Sequence, residues 1–275
     1  MLVAAAFLAL SQGSPQALPA PPAQTVFVRD PRILTLPDEA IAYVPASAGA
    51  QPPLLVLLHG AGRRADRMIE DLAAEASERG IVLLAPSSRD MTWDTVSSAE
   101  QPPSTNSLLA NSLAHRFSSS RDATRVEAAI AALGKIVPVD RTRTVLAGFS
   151  DGATFALAMG LSRDHPFSAV IAWSPGIAIE TASPARGRRV FISHGRQDPV
   201  LSFNTDCAEI VPLLQSEGAA VSFLPFGGGH EIPEIAKDTF LDAAFGPLPG
   251  APVHPLPSHV ERCMGPRPDL PMEQR

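Results

Sequence analysis

The chain has 275 residues, of which 45% are hydrophobic and 18% charged, and its formal net charge is −6. This balance is typical of a globular protein with one large domain or two small ones, and the acidic net charge argues against a nucleic-acid partner. The two cysteines, Cys207 and Cys263, fit neither a zinc-site spacing nor a Cys-x-x-Cys redox motif. They could form a disulfide in an oxidising compartment, or they could be two unrelated thiols.

The N-terminal segment is informative about the cellular location of the protein. Residues 2–10 form a short apolar run, and the polar break and Pro/Ala stretch after it resemble the rest of a secretory signal. No Lys or Arg precedes the run, so a disordered arm is the alternative for residues 1–24. We therefore expect a secreted or periplasmic protein, or a cytoplasmic one if the segment is not a signal. The run is too short to span a bilayer, so stable membrane insertion is not expected.

Strands and helices alternate through residues 25–245. Strands are predicted at 26–36 and 41–44, and a continuous apolar run predicts a buried strand at 54–58. Further strands are predicted at 81–85, 144–147, 169–173, 189–193 and 220–226. Helices are predicted at 66–79, 122–136, 153–162, 205–217 and 231–245. This alternation predicts an α/β fold with a doubly wound, mainly parallel sheet.

Two segments depart from the alternation. Residues 97–120 are rich in Ser, Asn, Gln and Pro, which predicts a long loop of the kind that is usually functional or disordered. From residue 246 onward Pro is frequent and periodicity vanishes, so we predict a Pro-rich tail over 246–275 instead of a second domain. Only residues 174–188 separate two of the later strands, which is too short for a helical cap. We therefore expect no large cap domain and a fairly open site.

A Gly-x-Ser-x-Gly pattern follows the strand at 144–147 directly. It consists of Gly148, Phe149, Ser150, Asp151 and Gly152, and a helix-forming stretch comes next. In this context the pattern predicts a nucleophile elbow, a turn so tight that the residues flanking the serine must be small. Ser150 would then lie at a helix N-terminus, where free backbone N–H groups suit a developing oxyanion.

Chemically competent residues follow three other strands. The turn His59-Gly60-Ala61-Gly62 follows the strand at 54–58, Asp198 follows 189–193, and His230 follows 220–226. Because ligands bind beyond the carboxyl ends of parallel strands, we expect these groups to meet Ser150. A serine hydroxyl needs a base such as His230, and a carboxylate such as Asp198 then orients the imidazole. The backbone N–H groups of Asp151 and Ala61 are the predicted oxyanion donors.

Other residues compete for these roles. His59 and His194 also lie at strand ends, but each precedes a glycine and is expected to brace its loop by hydrogen bonds. Asp206 is the alternative to Asp198, although it falls inside the next predicted helix. The alternative for His230 is that it is a solvated loop histidine without a catalytic role.

The sequence indicates the residues that bind the substrate less directly than it indicates the catalytic ones. Four residues near strand ends are predicted to line a substrate pocket, with core packing as the alternative for each: Met91, Trp93, Val200 and Leu201. No Arg/Lys cluster marks a phosphate or carboxylate site, so a neutral ester is the expected substrate.

These motifs together resemble a known family. They are Leu57–Gly62, Thr92-Trp93-Asp94, Ala147–Ala153, Ser174-Pro175-Gly176, His194–Val200 and Gly229-His230. Over residues 50–245 the chain resembles the phospholipase/carboxylesterase group of the α/β-hydrolase superfamily, in its bacterial serine esterase branch. The chain order Ser, Asp, His is also that of α/β-hydrolases.

The resemblance implies an eight-stranded sheet, a triad of Ser150, Asp198 and His230, and no metal or organic cofactor. The implied activity is hydrolysis of small-molecule or polymeric carboxylic esters through an acyl-serine. A polyester (polyhydroxyalkanoate-like) depolymerase, an acyltransferase or a peptidase could use the same triad. The alternative that is not an enzyme is a binding protein with the α/β-hydrolase fold. The oligomeric state stays open.

Overall fold

In the part of the chain that the structure describes, an eight-stranded, mainly parallel sheet forms the centre, as the sequence predicts. A computed structural model describes residues 30–94, 120–162, 166–177, 185–248 and 250. The strands are β1 (Arg32–Thr35), β2 (Ile41–Val44), β3 (Pro53–Leu58), β4 (Val82–Ala85), β5 (Asp140–Phe149), β6 (Ala169–Trp173), β7 (Arg189–Gly195) and β8 (Ala220–Phe226). Their order in the sheet is β1-β2-β4-β3-β5-β6-β7-β8. Strands β3 to β8 are parallel, whereas β2 pairs antiparallel with both β1 and β4.

Helices cover both faces of this sheet. They are α1 (Ala65–Glu70), α2 (Ala73–Arg79), α3 (Arg121–Gly134), α4 (Asp151–Gly160) and α6 (Glu234–Phe245). Between α4 and α6, helix α5 runs through Phe203–Thr205, a π-helical segment at Asp206–Ile210, and Val211–Ser216. A short 3₁₀ helix at Pro37–Glu39 joins β1 to β2.

The helix predicted at 66–79 is interrupted in the structure. Leu72, between α1 and α2, has φ −129° and ψ 0°, which is outside the helical region. The break lets the fully buried Leu72 join Met68 and Ile69 of α1 in the same apolar cluster. Strand β5 is longer than the 144–147 expected, because its polar first residues extend the pairing with β3 back to Pro53 and Asp140.

The core lies in two layers, one on each face of the sheet. Residues of β3 alternate between them, with Leu54, Val56 and Leu58 in one cluster and Leu55 and Leu57 in the other. The first layer is completed by α3, α4 and α5, and the second by α1, α2 and α6. A strand buried on both faces reads as a continuous apolar run, which is why β3 was evident from the sequence.

Several predictions fall on parts of the chain outside the described residues. These are the N-terminal segment, the loop at 97–119 and the tail from residue 251. Cys207 is disulfide-bonded, whereas Cys263 lies outside the described residues. In the described part of the chain no cap domain is present, and no helix there combines the length and apolarity needed to cross a membrane.

Candidate active site

The turn between β5 and α4 has the backbone geometry of a nucleophile elbow. Ser150 lies there with φ 57° and ψ −121°, a conformation that side chains rarely adopt. A Cβ on Gly148 would lie 2.1 Å from the carbonyl oxygen of Gly152, and a Cβ on Gly152 would lie 2.2 Å from that of Leu58. Only glycine fits at these two positions. The amide of Ser150 donates to the carbonyl of Trp173 at 2.9 Å, which ties the turn to β6.

Three side chains from three strand ends meet at this turn. The Nε2 atom of His230 lies 2.9 Å from Ser150 Oγ, and its Nδ1 atom lies 2.6 Å from Asp198 Oδ2. Because a carboxylate only accepts hydrogen bonds, Nδ1 carries the proton and Nε2 is left to accept from the serine hydroxyl. The structure therefore brings together the serine, histidine and aspartate that the sequence singled out.

The carboxylate of Asp198 is held from both sides. Its Oδ1 accepts from the amides of Val200 at 2.8 Å and Leu201 at 2.9 Å. Burial raises the pKa of Asp198, but these amides and His230 outweigh burial and leave the pKa below its usual value. Asp198 is therefore ionised when His230 needs a negative partner.

The aromatic ring of Phe149 supports the other side of the imidazole. Its centroid lies 4.7 Å from that of His230. The same ring lies 3.5 Å from the position that a Cβ of Gly60 would occupy. Phe149 thus lies between His230 and the turn after β3, a contact that the sequence pattern did not indicate.

The turn after β3 borders the nucleophile. A Cβ on Gly60 would lie 3.2 Å from Ser150 Cβ, so a side chain there would crowd the serine. The amide of Ala61, the next residue, makes no hydrogen bond to another described residue, whereas that of Gly62 donates to Met91 O at 2.8 Å. The amide of Asp151 belongs to the first turn of α4, where amides lack an intrahelical acceptor. The oxyanion role of these two amides stays a prediction.

His59 braces that turn from beneath. Its Nε2 atom accepts from the amide of Ser88 at 3.0 Å, and its ring lies 4.7 Å from that of Trp93. The indole of Trp93 donates to the carbonyl of His59 at 2.8 Å. Burial lowers the pKa of His59, which fits a neutral ring that accepts at Nε2.

The prediction that Trp93 lines the substrate pocket is wrong. Its side chain is fully buried and stacks on Phe155 with ring centroids 4.8 Å apart. The alternative of core packing holds instead, because contacts with His59 and Phe155 of α4 keep the indole in the core. Trp93 therefore supports the turn after β3 from inside the protein.

A pair of carboxylates anchors the segment that carries Met91 and Trp93. Asp122 accepts from the amides of Arg89 and Asp94 at 2.8 and 2.9 Å. Asp94 in turn accepts from the hydroxyl of Ser120 at 2.8 Å, and Ser120 caps α3. The motif Thr92-Trp93-Asp94 does not indicate this contact, which joins residues about 30 positions apart.

The other predicted pocket residues are accessible to different degrees. Met91 and Val200 are 67% and 65% exposed, and Leu201 is partly buried against Gly176. Val200 and Leu201 line a cavity of about 430 Å³ beside Asp198 together with Arg196, Pro199, Ser202, Phe203 and Asn204. Within the described residues no group of three or more metal-ligating side chains is present.

The alternative acid, Asp206, lies in α5 and does not contact His230. Its Oδ2 atom instead lies 2.8 Å from Nδ1 of His194. Both side chains are fully buried. Asp198 is therefore the carboxylate that the structure places on His230.

Comparisons with known proteins bear on the family and the fold of the chain. The model of the phospholipase/carboxylesterase family matches residues 39–235. The crystal structure of a carboxylesterase from Mesorhizobium loti is 18% identical, covers 79% of this chain and 100% of that chain, and has a TM-score of 0.57. Esterase PE8 is 23% identical, covers 78% of this chain and 98% of its own, and has a TM-score of 0.53.

A ferulic acid esterase from Anaeromyces mucronatus is also similar. It is 18% identical, covers 78% of this chain and 91% of its own, and has a TM-score of 0.52. At these identities the likeness is one of fold. No curated protein sequence matches the chain.

Proposed function

The chain belongs to the phospholipase/carboxylesterase family and is a carboxylic-ester hydrolase, and we propose that it acts through an acyl-enzyme on Ser150. His230 is the general base and acid in this proposal, and Asp198 orients and stabilises it. The observation that carries the proposal is the position of His230, which bridges Ser150 Oγ at 2.9 Å and Asp198 Oδ2 at 2.6 Å.

The first half of the reaction acylates the enzyme. As the Oγ atom of Ser150 attacks the ester carbonyl, its proton passes to Nε2 of His230, and Asp198 stabilises the imidazolium. The oxyanion accepts from the amides of Ala61 and Asp151, and one such donor contributes roughly 3–4 kcal/mol. When the intermediate collapses, the C–O bond to the alcohol breaks and His230 returns its proton to the leaving oxygen.

The second half releases the acid. Water attacks the acyl carbonyl while His230 accepts its proton, and the bond to Ser150 Oγ then breaks as the proton returns to that oxygen. The carboxylic acid leaves and the hydroxyl of Ser150 is restored. These steps use only groups of the protein itself and one water molecule.

The substrate proposed for this site is a small, neutral carboxylic ester. Two exposed apolar side chains lie on segments that adjoin the proposed site. Met91 is on the segment bonded to Gly62, and Val200 is two residues after Asp198. Leu201 lines the same cavity as Val200. These three residues are proposed to contact the acyl or alcohol group.

The experiment is ester hydrolysis by Ser150→Ala. With p-nitrophenyl acetate and butyrate we expect kcat to fall by at least about 10³-fold, because triad members act as a unit. Ser193→Ala is the matched control, since Ser193 is also a buried serine and lies within β7, two strands away from β5. Its activity should stay near that of the unmodified protein. Full activity in Ser150→Ala would overturn the proposal.

We also propose that the protein is exported, and the support for this is the apolar run at residues 2–10 alone. Sequencing the N-terminus of the mature protein tests it, and a chain that begins at Met1 in the cytoplasmic fraction would contradict it.

A further inference from the structure

A second histidine–aspartate pair lies directly behind the triad acid. The Nδ1 atom of His194 lies 2.8 Å from Asp206 Oδ2. Its Nε2 atom lies 3.1 Å from Asp198 Oδ2 and 3.2 Å from the carbonyl oxygen of Leu201. The oxygen of Asp198 that faces His194 is the one that accepts from His230. Two imidazoles therefore share one carboxylate oxygen.

The partners of His194 settle where its protons lie. Near Nε2 are a carbonyl and the ionised carboxylate of Asp198, which only accept, so Nε2 carries a proton. Between Nδ1 and Asp206 lies one further proton, whichever of the two atoms holds it. Burial raises the pKa of Asp206 to about 6. Burial lowers the pKa of His194, but Asp206 outweighs it and leaves this pKa raised.

We propose that His194 and Asp206 are positioning residues for the reaction. They hold Asp198 and the loop after β7 in place, and they partly neutralise the negative charge that Asp198 presents to His230. The proposal rests on the function proposed for Ser150. The proton shared with Asp206 gives His194 cationic character, and a cationic donor interacts with a carboxylate about twice as strongly as a neutral one. His194 also fixes Leu201, whose amide donates to the other oxygen of Asp198.

Few other charged groups lie near His194. Among the described residues, the charged groups that act on it are Asp206 from α5 and Asp198 from the loop after β7. Strand β8 places Pro225 beside it, and the ring of Phe203 meets it edge-on at 6.0 Å. The guanidinium of Arg196 packs on that Phe203 ring at 4.9 Å.

The test compares two variants that keep the interior filled. Asp206→Asn can still donate to Nδ1, but it leaves His194 neutral. We expect the midpoint of the acidic limb of kcat/KM against pH to rise by about half a unit, because Asp198 then stabilises the His230 imidazolium more strongly. The double variant His194→Phe/Asp206→Leu removes both charges together, which avoids an unpaired buried charge. It should show a larger rise and a kcat lower by roughly ten-fold, with KM unchanged.

A control separates this effect from loss of a buried carboxylate in general. Asp242 is buried and accepts from Arg79 at 2.8 Å. It lies at the opposite edge of the sheet, near the starts of β5 and β7, since Arg143 and Arg189 of those strands bond to Phe245 and Ala243. Asp242→Asn should leave the pH profile unchanged.

A second measurement is independent of turnover. The ring resonances of His230 are titrated by NMR in Ser150→Ala, with and without Asp206→Asn, and the midpoint should rise in the double variant. If both His194/Asp206 variants fold and neither the kinetic limb nor the His230 midpoint moves, the proposal is overturned. If instead Ser150→Ala retains activity, the proposed function fails while the His230 titration still tests the pair.

Discussion

The clearance around Gly152 offers a quantitative test of the elbow. A Cβ at this position would lie 2.2 Å from the carbonyl oxygen of Leu58 and 2.5 Å from that of His59, whereas ordinary contact begins near 3.4 Å. Gly152→Ala therefore requires α4 and the end of β3 to separate by about 1 Å. That movement would shift the amide of Asp151 and the turn that carries Ala61. A misplacement of about 1 Å can cost about 10²-fold in rate, so we expect kcat/KM to fall by about that factor.

The assay is hydrolysis of p-nitrophenyl butyrate beside a thermal unfolding measurement. Gly134→Ala is the control, because Gly134 ends α3 and a Cβ there meets nothing within 4 Å. This control should keep its activity and gain up to about 1 kcal/mol of stability from helix propensity. A Gly152→Ala enzyme that folds and retains activity within about three-fold would refute the role assigned to this close approach.

Two further predictions concern contacts that support the turn after β3 and the start of α4. Thr92→Val removes the hydroxyl that donates to Asp151 Oδ2 at 2.5 Å, and kcat/KM should fall by about ten-fold, since hydrogen bonds to charged groups contribute about 1.5–3 kcal/mol. Unchanged Michaelis kinetics would contradict this. Burial lowers the pKa of His59, so the unfolded chain binds a proton below about pH 6.5 while the folded chain does not, and the free energy of unfolding falls as the pH drops through that window. Urea titrations between pH 7.5 and 5 should show a shallower fall in His59→Gln, and parallel curves would argue against a neutral buried His59.

The sheet could be predicted because its signals are local. Strands β6 and β8 have the bounds expected from their residues alone, and β3 was evident as an apolar run. The meeting of Ser150, Asp198 and His230 also follows from topology, because parallel strands bring their carboxyl ends to one edge. Spacing along the chain and the rules of parallel sheets were therefore sufficient to predict that these three side chains meet.

The support around the triad could not be predicted in the same way. Trp93 lies outside every strand, and its burial depends on His59 and Phe155, which are distant in sequence. The contact of Asp122 with Asp94 likewise joins the two ends of a long intervening segment. Such contacts arise from packing between elements. The motif Thr92-Trp93-Asp94 contains two of these residues, but neither it nor periodicity indicates which partners they contact.

Asp206 shows why position in a helix is a poor reason to dismiss a carboxylate. Its position in a predicted helix argues against a role as the acid, yet α5 begins eight residues after β7 ends, and Asp206 and Asp198 both lie next to His194. Asp206 is twelve residues from His194 and reaches it from that first part of the helix. A carboxylate so placed cannot orient His230 directly, because Asp198 occupies that position, but it can act on Asp198 through His194. The residue that competes with Asp198 in the sequence therefore lies directly behind it in the fold, with His194 between them.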